Sequence, residues 1–251
     1  MGTLALTDHD TMAGVPEALD ASGRLGVELI PGIELSVKAP SGSMHLLGYF
    51  REPQPQPLAG RLDALRVGRA SRARAIVARL NEMGVALDYD DVEARAAGPV
   101  GRPHVAEALV AAGHVGDRQE AFDRYLADGG PAHVGHAGLT PTEAVGLVAD
   151  SGGAPVLAHP DSLAMADGAL EQFVRELAGA GLRGIEVHRR DHGSADRRRF
   201  GRLAQRFELV PCGGSDFHRP GTDRLGDTGA PALPADVPDR LGIRADVEAV
   251  R

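Results

Sequence analysis

The feature that most constrains the fold is a short apolar run followed by acidic or histidine residues, which recurs along the chain. The runs at 4–6, 27–30, 156–158 and 209–211 precede Thr-Asp-His-Asp-Thr (7–11), Gly-Ile-Glu (32–34), His-Pro (159–160) and Gly-Ser-Asp-Phe-His (214–218). Each run has the length of a buried strand. Parallel strands bring their carboxyl ends to one edge of a sheet, where α/β proteins place their chemistry. We therefore expect these polar segments to converge.

Strands and helices alternate along most of the sequence. Residues 3–50 have the pattern of strand, helix, strand and strand, and the alternation resumes after residue 136. Thr140 and Glu143 have capping-box spacing, with proline at the first helical position, and predict the start of a helix. The order of elements is typical of an α/β protein with a largely parallel sheet, either open or closed into a barrel.

Residues 58–135 form a different region, which is rich in arginine and alanine. Ala73, Ile76, Val77 and Leu80 have the spacing of one buried helix face, and three prolines in the segment 51–57 mark a boundary. We expect one α/β domain made of residues 1–57 and 136–251. Residues 58–135 are predicted to be a helical insertion over the rim that carries the active site.

Length and charge limit the functions that the chain can have. Its 251 residues suit one barrel-sized domain with an insertion. A net charge of −8 argues against strong binding of duplex nucleic acid, but bound divalent cations would still allow a nucleotide substrate. The single cysteine, Cys212, suits a reducing compartment. No apolar run approaches ~18 residues, so we expect a cytoplasmic protein without a membrane partner.

Six residues at or near the predicted strand ends are candidate metal ligands: His9, Glu34, His45, His159, Asp216 and His218. Mixed imidazole and carboxylate ligands suit Mn²⁺, Fe²⁺ and Zn²⁺. A carboxylate can also bridge two ions, and such a pair stabilises both the attacking and the leaving oxygen of a phosphoryl transfer. Asp8 and Asp10 either cap a helix that begins near Thr11 or orient His9.

These segments together resemble the PHP (polymerase and histidinol phosphatase) family of metal-dependent phosphoesterases. They are similar above all to the branch of nucleoside 3′,5′-bisphosphate phosphatases and 5′-to-3′ exoribonucleases. The resemblance implies a distorted, seven-stranded β/α barrel with up to three metal ions. The matching segments, in the order of the family, are 7–11, 32–34, 45–49, 101–104, 158–160, 184–187 and 214–218.

The chain departs from the family pattern at its beginning. Family members open with a strand that carries His-x-His and then an Asp, upstream of the segment that matches 7–11, whereas this sequence starts at Met1. The resemblance therefore implies a barrel without its first strand. One metal site (Glu34, His45 and His159) would be complete. A second would keep Glu34 and Asp216, and a third would keep His9 and His218.

Arg102 is the main candidate for binding substrate. It lies in Gly-Arg-Pro-His, immediately before a predicted helix, where helix N–H groups and a guanidinium fork suit a phosphate. The resemblance implies the same role. His104, in the first turn of that helix, and His192, after the strand at 185–187, are further candidates for substrate contact. The alternatives are a solvated surface arginine and a polar loop.

The sequence thus predicts a metal-dependent phosphatase or phosphodiesterase, with Glu34, Asp216 and Arg102 as catalytic residues. The expected substrate is a small nucleotide-like phosphate, either a 3′,5′-bisphosphate nucleotide or the 5′ end of a short RNA. Mn²⁺ is the expected metal, with Fe²⁺ or Zn²⁺ as alternatives. Two other functions stay open: hydrolysis of histidinol phosphate, and a catalytically impaired relative that binds phosphates or a partner.

Overall fold

The computed structural model describes residues 2–96, 98–135, 138–218, 227 and 233–244. The chain separates into two units, one made of Met1–Gly60 with Leu139–Arg251 and the other of Arg61–Gly138. We call them the sheet unit and the helical unit. The position of an insertion over the rim of the sheet stays a prediction.

The sheet unit contains six strands in the described part of the chain, arranged side by side in sequence order. They curl into a half-barrel and are β1 (Thr3–Leu6), β2 (Glu28–Val37), β3 (Met44–Tyr49), β4 (Ala154–Leu157), β5 (Gly184–His188) and β6 (Val210–Gly213). The fold is therefore mixed α/β, as predicted. The seventh strand of the family's barrel, and its absence from this chain, stay predictions.

Strand β3 differs from the expected parallel arrangement. It runs antiparallel to both β2 and β4, whereas β1 is parallel to β2, and β4, β5 and β6 are parallel to one another. The reason is the short connection at residues 38–43, because a loop of this length joins neighbouring antiparallel strands, whereas a parallel pair needs a long crossover. The sheet is therefore mixed.

The helices of the sheet unit are α1 (Val15–Leu25), α6 (Pro141–Asp150), α7 (Asp167–Gly179), α8 (Ser194–Arg206) and α9 (Val237–Leu241). The first four follow the predicted order, whereas α9 lies in a segment that the sequence predicted to be irregular. The capping box of α6 is confirmed, because Thr140 Oγ1 accepts from Glu143 N and Glu143 Oε2 accepts from Thr140 N at 2.8 Å. Buried apolar side chains such as Leu47, Val156 and Leu241 form a core against the sheet.

The helical unit has an apolar core of its own. Its helices are α2 (Ala59–Glu82), α3 (Tyr89–Glu93), α4 (Arg102–Ala111) and α5 (Arg118–Ala121), followed by a π-helical turn at Phe122–Leu126. Ile76 and Leu80 of α2 are buried together with Val105 and Leu109 of α4 and with Leu126. No helix in the described part of the chain is long and apolar enough to cross a membrane.

Candidate metal centre

Glu34 lies inside β2, whereas the sequence indicated a position just after a strand. Pro31 and Gly32 have the composition of a strand end, but β2 continues through them to Val37. Glu34 pairs with Leu47 of β3, and only 5% of its surface is exposed. A buried carboxylate within a strand is costly unless polar or charged partners surround it.

The loop after β1 brings His9 to Glu34. Asp10 N donates to Glu34 O at 3.0 Å and Glu34 N donates to Asp8 O at 3.1 Å, so that His9 and Glu34 form an isolated parallel bridge. The carboxylate of Asp10 accepts from Ser36 N at 2.8 Å and is buried. The helix-cap interpretation of Asp10 is wrong, because α1 begins only at Val15. Asp10 instead fastens the loop that carries His9.

Glu34, His45 and His159 bring three donor atoms together. Glu34 Oε1 lies 2.6 Å from His45 Nδ1 and 3.1 Å from His159 Nε2, and these two nitrogens are 3.0 Å apart. His159 follows the carboxyl end of β4. His45 reaches the same place as the second residue of β3, because an antiparallel strand presents its amino end at that edge.

His159 is held from two sides. Its backbone has φ of 25° and ψ of 65°, and its N–H donates to Glu186 Oε2 at 2.7 Å. Its Nδ1 lies 2.9 Å from Ser162 Oγ, and that hydroxyl donates to the carbonyl of Ser43 at 2.8 Å. A hydroxyl has one proton, so Oγ accepts from Nδ1–H. Nε2 is then the nitrogen that either donates a proton to Glu34 or, without that proton, offers its lone pair to a metal ion.

A second group consists of His9, Glu34 and His218, whose donor atoms lie within 4.8 Å of one another. His9 Nδ1 is 3.9 Å from Glu34 Oε2, and the His9 and His218 rings are 5.7 Å apart. Glu34 therefore directs Oε1 toward His45 and His159 and Oε2 toward His9. This is the arrangement of a carboxylate that can bridge two ions.

The histidines also keep Glu34 ionised. Burial raises the pKa of Glu34, but hydrogen bonds from His159 and His45 and the charge of His9 outweigh it, so the pKa lies well below its usual value. Burial lowers the pKa of His159, but the hydrogen bond and charge of Glu34 outweigh it and the pKa is raised. The site thus has a buried negative charge on Glu34, surrounded by imidazole nitrogens that can bind either a proton or a metal ion.

Asp216 is not part of either group in the described part of the chain. Its Oδ2 lies 2.9 Å from Arg189 Nη2, and Arg189 is 6% exposed, with Nη1 3.7 Å from Glu186 Oε2. Metal binding by Asp216 stays a prediction. Sequence analysis did not single out Arg189, because nothing in the sequence distinguishes it from its exposed neighbour Arg190.

His192 is buried between two hydrogen-bond acceptors. Its Nδ1 lies 3.1 Å from Val187 O and its Nε2 lies 3.0 Å from Asp161 Oδ1, while its ring packs 5.0 Å from that of Phe200. Both ring nitrogens therefore have protein partners that close the loop after β5. A contact between His192 and substrate stays a prediction.

Arg102 and His104 lie at the start of α4, in the helical unit. Arg102 Nη1 donates to Leu126 O at 3.1 Å and lies 2.8 Å from Asp128 Oδ1. His104 Nδ1 accepts from Gly101 N at 3.0 Å and so caps the helix. Their roles in substrate binding stay predictions.

The donor set fits a divalent metal ion. Metal–nitrogen and metal–oxygen bonds of ~2.0–2.2 Å place neighbouring ligand atoms about as close as those of Glu34, His45 and His159. Two imidazoles and a carboxylate suit Mn²⁺, Fe²⁺ or Zn²⁺ better than Ca²⁺, which prefers oxygen alone. A cation here would also neutralise the buried charge of Glu34.

Comparison with known proteins identifies relatives over most of the chain, although no family model matches it. The sequence is 36% identical to a 3′,5′-nucleoside bisphosphate phosphatase from Chromobacterium violaceum, over 87% of the chain and 77% of the relative. It is 32% identical to a 5′-3′ exoribonuclease from Haemophilus influenzae, over 88% and 80%. It is also 32% identical to a phosphoribosyl 1,2-cyclic phosphate 1,2-diphosphodiesterase from Eggerthella lenta, over 86% and 82%.

Two solved structures share the fold. An amidohydrolase from Chromobacterium violaceum, with bound sulfate and no metal, has a TM-score of 0.85 at 34% identity and covers 95% of the chain. A protein from Bifidobacterium adolescentis described as a metal-dependent phosphoesterase has a TM-score of 0.84 at 28% identity and covers 99% of the chain. The matches span 86% and 88% of those structures. The chain belongs to the PHP family of metal-dependent phosphoester hydrolases, in the branch of bisphosphate phosphatases and 5′-to-3′ exoribonucleases.

Proposed function

We propose that this protein hydrolyses the phosphate ester of a small nucleotide, either a nucleoside 3′,5′-bisphosphate or the 5′ end of a short RNA. The observation that carries the proposal is the position of Glu34, whose two carboxylate oxygens face different histidine groups. Two ions that act together on a phosphate ester lie ~3.5–4 Å apart, and a shared carboxylate can hold them at that spacing. Relatives named for these two substrates support the choice. Mn²⁺ is the proposed metal, before Fe²⁺ and Zn²⁺.

The residues of the centre divide into two ligand sets. Glu34, His45 and His159 would hold one ion, and Glu34 with His9 and His218 would hold another. Bound ions of this kind supply an activated water and stabilise charge on the phosphoryl oxygens. Asp216 would join them by exchanging its contact with Arg189 for a contact with an ion.

Other residues of the chain prepare the ligands. Ser162 keeps Nδ1 of His159 protonated, which leaves Nε2 free to bind metal. Asp10 holds the loop of His9 against β2. Arg102, with His104 and His192, is proposed to contact the substrate. A guanidinium suits this role because it can hold two phosphoryl oxygens at once.

The test is a phosphate-release assay on the purified chain with Mn²⁺ and adenosine 3′,5′-bisphosphate, alongside a short 5′-phosphorylated RNA. We expect turnover that a chelator abolishes and that Glu34→Gln lowers at least about a hundredfold, the scale on which a charge-stabilising group contributes. Glu17→Gln is the matched control, because it removes an exposed carboxylate from α1 and should leave turnover unchanged.

Other outcomes would assign a different function. Faster hydrolysis of histidinol phosphate than of either nucleotide would favour the second enzymatic hypothesis. Binding of Mn²⁺ and phosphate without turnover of any of the three would contradict catalysis and favour a relative that only binds. Turnover that Glu34→Gln leaves intact would remove the centre from the mechanism.

A further inference from the structure

Strand β5 carries a buried carboxylate that belongs to neither set of proposed metal ligands. Glu186 lies in the middle of β5, which pairs with β4 on one side and β6 on the other, and it is 5% exposed. A buried carboxylate is costly unless charged or hydrogen-bonding partners surround it. The partners of Glu186 therefore indicate what the residue does.

One partner of Glu186 is the backbone of a proposed metal ligand. Its Oε2 accepts from His159 N at 2.7 Å. The backbone of His159 has φ of 25°, in the left-handed region, which a residue with a Cβ rarely adopts. Such a conformation persists only where the surrounding contacts hold it, and a charge-assisted hydrogen bond is a contact of this kind. The carboxylate therefore helps to hold His159 in the conformation that brings its Nε2 to Glu34.

The other oxygen of Glu186 faces the segment after β6. A Cβ added at Gly214 would lie 3.5 Å from Glu186 Oε1, so the backbone of this segment passes close to the carboxylate. The same segment continues to His218, whose ring lies 5.7 Å from that of His9. Glu186 thus lies between two segments of chain, and each of them carries a ligand of a different proposed metal site.

Arg189 offsets the buried charge of Glu186. Arg189 is 6% exposed, and its Nη1 lies 3.7 Å from Glu186 Oε2. Its Nη2 lies 2.9 Å from Oδ2 of Asp216, in the segment after β6. A buried carboxylate and a buried guanidinium stabilise each other, whereas either one alone would be an uncompensated charge. A charged pair on β5 and its extension therefore supports both segments.

We propose that Glu186 is a positioning residue for phosphate-ester hydrolysis, because its carboxylate holds His159 in the geometry that binds metal. Glu186 acts through His159 and does not itself contact the metal or the substrate. The role of the metal rests on the proposed function, whereas the hydrogen bond to His159 N is independent of it. Loss of the carboxylate should therefore weaken metal binding without removing a group that takes part in the reaction.

The first test is hydrogen exchange of the His159 amide, measured by NMR on the metal-free protein. An amide that donates a hydrogen bond within the fold exchanges only when that contact opens. We expect exchange in Glu186→Ala to be about tenfold faster than in the unchanged protein, the scale of a lost hydrogen bond to a charged group. Glu186→Gln should lie between the two, because its amide oxygen still accepts but carries no charge.

The second test is the affinity for Mn²⁺, measured by calorimetry. Glu186→Ala should weaken binding by about 10–100-fold, the usual effect of losing a residue that orients a metal ligand, and Glu186→Gln should weaken it less. Turnover that Glu186→Ala loses at limiting Mn²⁺ should return when Mn²⁺ saturates the protein. Excess metal would not restore turnover if Glu186 contacted the substrate.

Ile185→Val is the matched control. Ile185 is the preceding residue of β5 and is fully buried, and its side chain points to the opposite face of the sheet. The substitution removes one methylene group and should lower the unfolding midpoint. It should leave the Mn²⁺ affinity and the exchange of the His159 amide unchanged, which separates loss of the carboxylate from a general loosening of β5.

The proposal is overturned if Glu186→Ala keeps both the amide exchange rate and the Mn²⁺ affinity within about twofold of the unchanged protein. It is also overturned if Ile185→Val weakens Mn²⁺ binding equally, or if Glu186→Gln loses as much affinity as Glu186→Ala. If Glu186→Ala does not fold, Glu186→Gln decides the question: slower metal-free exchange changes nothing in its favour, and an unchanged exchange rate and Mn²⁺ affinity overturn the role.

This inference and the proposed function can fail separately. Mn²⁺ binding that depends on Glu186, without hydrolysis of any nucleotide, would contradict the proposed function and support the positioning role. Hydrolysis and Mn²⁺ binding that both Glu186 variants leave intact would support the proposed function and overturn the positioning role. Failure of the unchanged protein to bind Mn²⁺ would overturn both.

Discussion

At the scale of single residues, the metal centre depends on side chains that are not ligands themselves. Ser162 accepts from the imidazole of His159, and Asp10 accepts from the backbone of Ser36. Partners of this kind fix the tautomer and direction of a ligand, and their loss usually lowers metal affinity 10–100-fold. Metal binding at Glu34 therefore depends on these supporting residues as well as on the ligands themselves.

Ser162→Ala should weaken Mn²⁺ binding by about 10–100-fold, because Nδ1 of His159 loses its acceptor and the ring can then rotate or change tautomer. Isothermal calorimetry measures the affinity. Ser162→Thr keeps the hydroxyl and should restore most of it, which separates this effect from a general loss of stability. Equal Mn²⁺ affinity in Ser162→Ala and the unchanged protein would contradict the role.

Comparing His159 with His192 separates a metal ligand from a structural histidine. Both side chains are largely buried, and both ring nitrogens of each have polar partners in the protein. His159→Ala should reduce Mn²⁺ affinity more than loss of an outer partner does, beyond about 100-fold. His192→Ala should leave Mn²⁺ affinity unchanged but lower the unfolding midpoint, because Val187 and Asp161 lose their partner. Loss of Mn²⁺ binding in His192→Ala would place it in the centre after all.

Sequence patterns identify ligand types better than their supporting residues. His9, Glu34, His45, His159 and His218 lie together in two overlapping groups. His9, His159 and His218 follow strands and His45 lies at the start of β3, whereas Glu34 lies within β2. Ser162 and Arg189 carry no such signal. Their contacts join residues distant in sequence, such as Ser162 with Ser43 and Arg189 with Asp216, and depend on the completed fold.

At the scale of elements, β2 and β3 are where local rules fail. Proline and glycine usually end a strand, yet β2 continues past Pro31 and Gly32, because its residues 28–31 pair with β1 and its residues 32–37 pair with β3. This change of partner within one strand is a tertiary effect that no window of sequence shows. The short connection at residues 38–43 makes β3 antiparallel to β2 and brings its amino end, with His45, to the metal centre.

The loop between β2 and β3 is locked to the turn that follows His159. Ser43 N donates to Ser162 O at 3.0 Å. Gly42 has φ of 59°, and there is no space for a Cβ at this position. An added Cβ would overlap Ser162 O and lie 3.0 Å from the carbonyl carbon of Leu163. Gly42→Ala should therefore cost more than about 1 kcal/mol of unfolding free energy.

Urea unfolding measures this effect of Gly42→Ala, and Gly23→Ala is its control. Gly23 lies in α1 with no neighbouring heavy atom within 4 Å of an added Cβ, so alanine there should stabilise by about 0.5–1 kcal/mol. A Gly42→Ala protein as stable as the original would show that the loop accommodates a side chain and does not fix the turn.

At the scale of the whole molecule, net charge conceals local charge. The value of −8 argues against a general attraction to nucleic acid, but it gives no sign that Arg69, Arg72 and Arg102 lie near enough to one another to interact electrostatically. Composition averages over the chain, whereas binding depends on which charges the fold brings together. The helical periodicity of α2 predicted which face is buried, but it did not predict which groups its arginine side chains contact.

Metal binding should stabilise the molecule through the sheet unit alone, because all the proposed ligands belong to it. At a Mn²⁺ concentration of about 100 times the dissociation constant, linkage predicts about 2.7 kcal/mol of added stability. Glu34→Gln should abolish this increment in a thermal unfolding experiment.

Leu80→Ala, which removes a fully buried side chain from the core of the helical unit, should lower stability by about 2–5 kcal/mol. Its Mn²⁺ affinity, measured by calorimetry on the folded protein, should be unchanged. Loss of Mn²⁺ affinity in Leu80→Ala would show that the helical unit controls the metal centre and that the two units do not act independently.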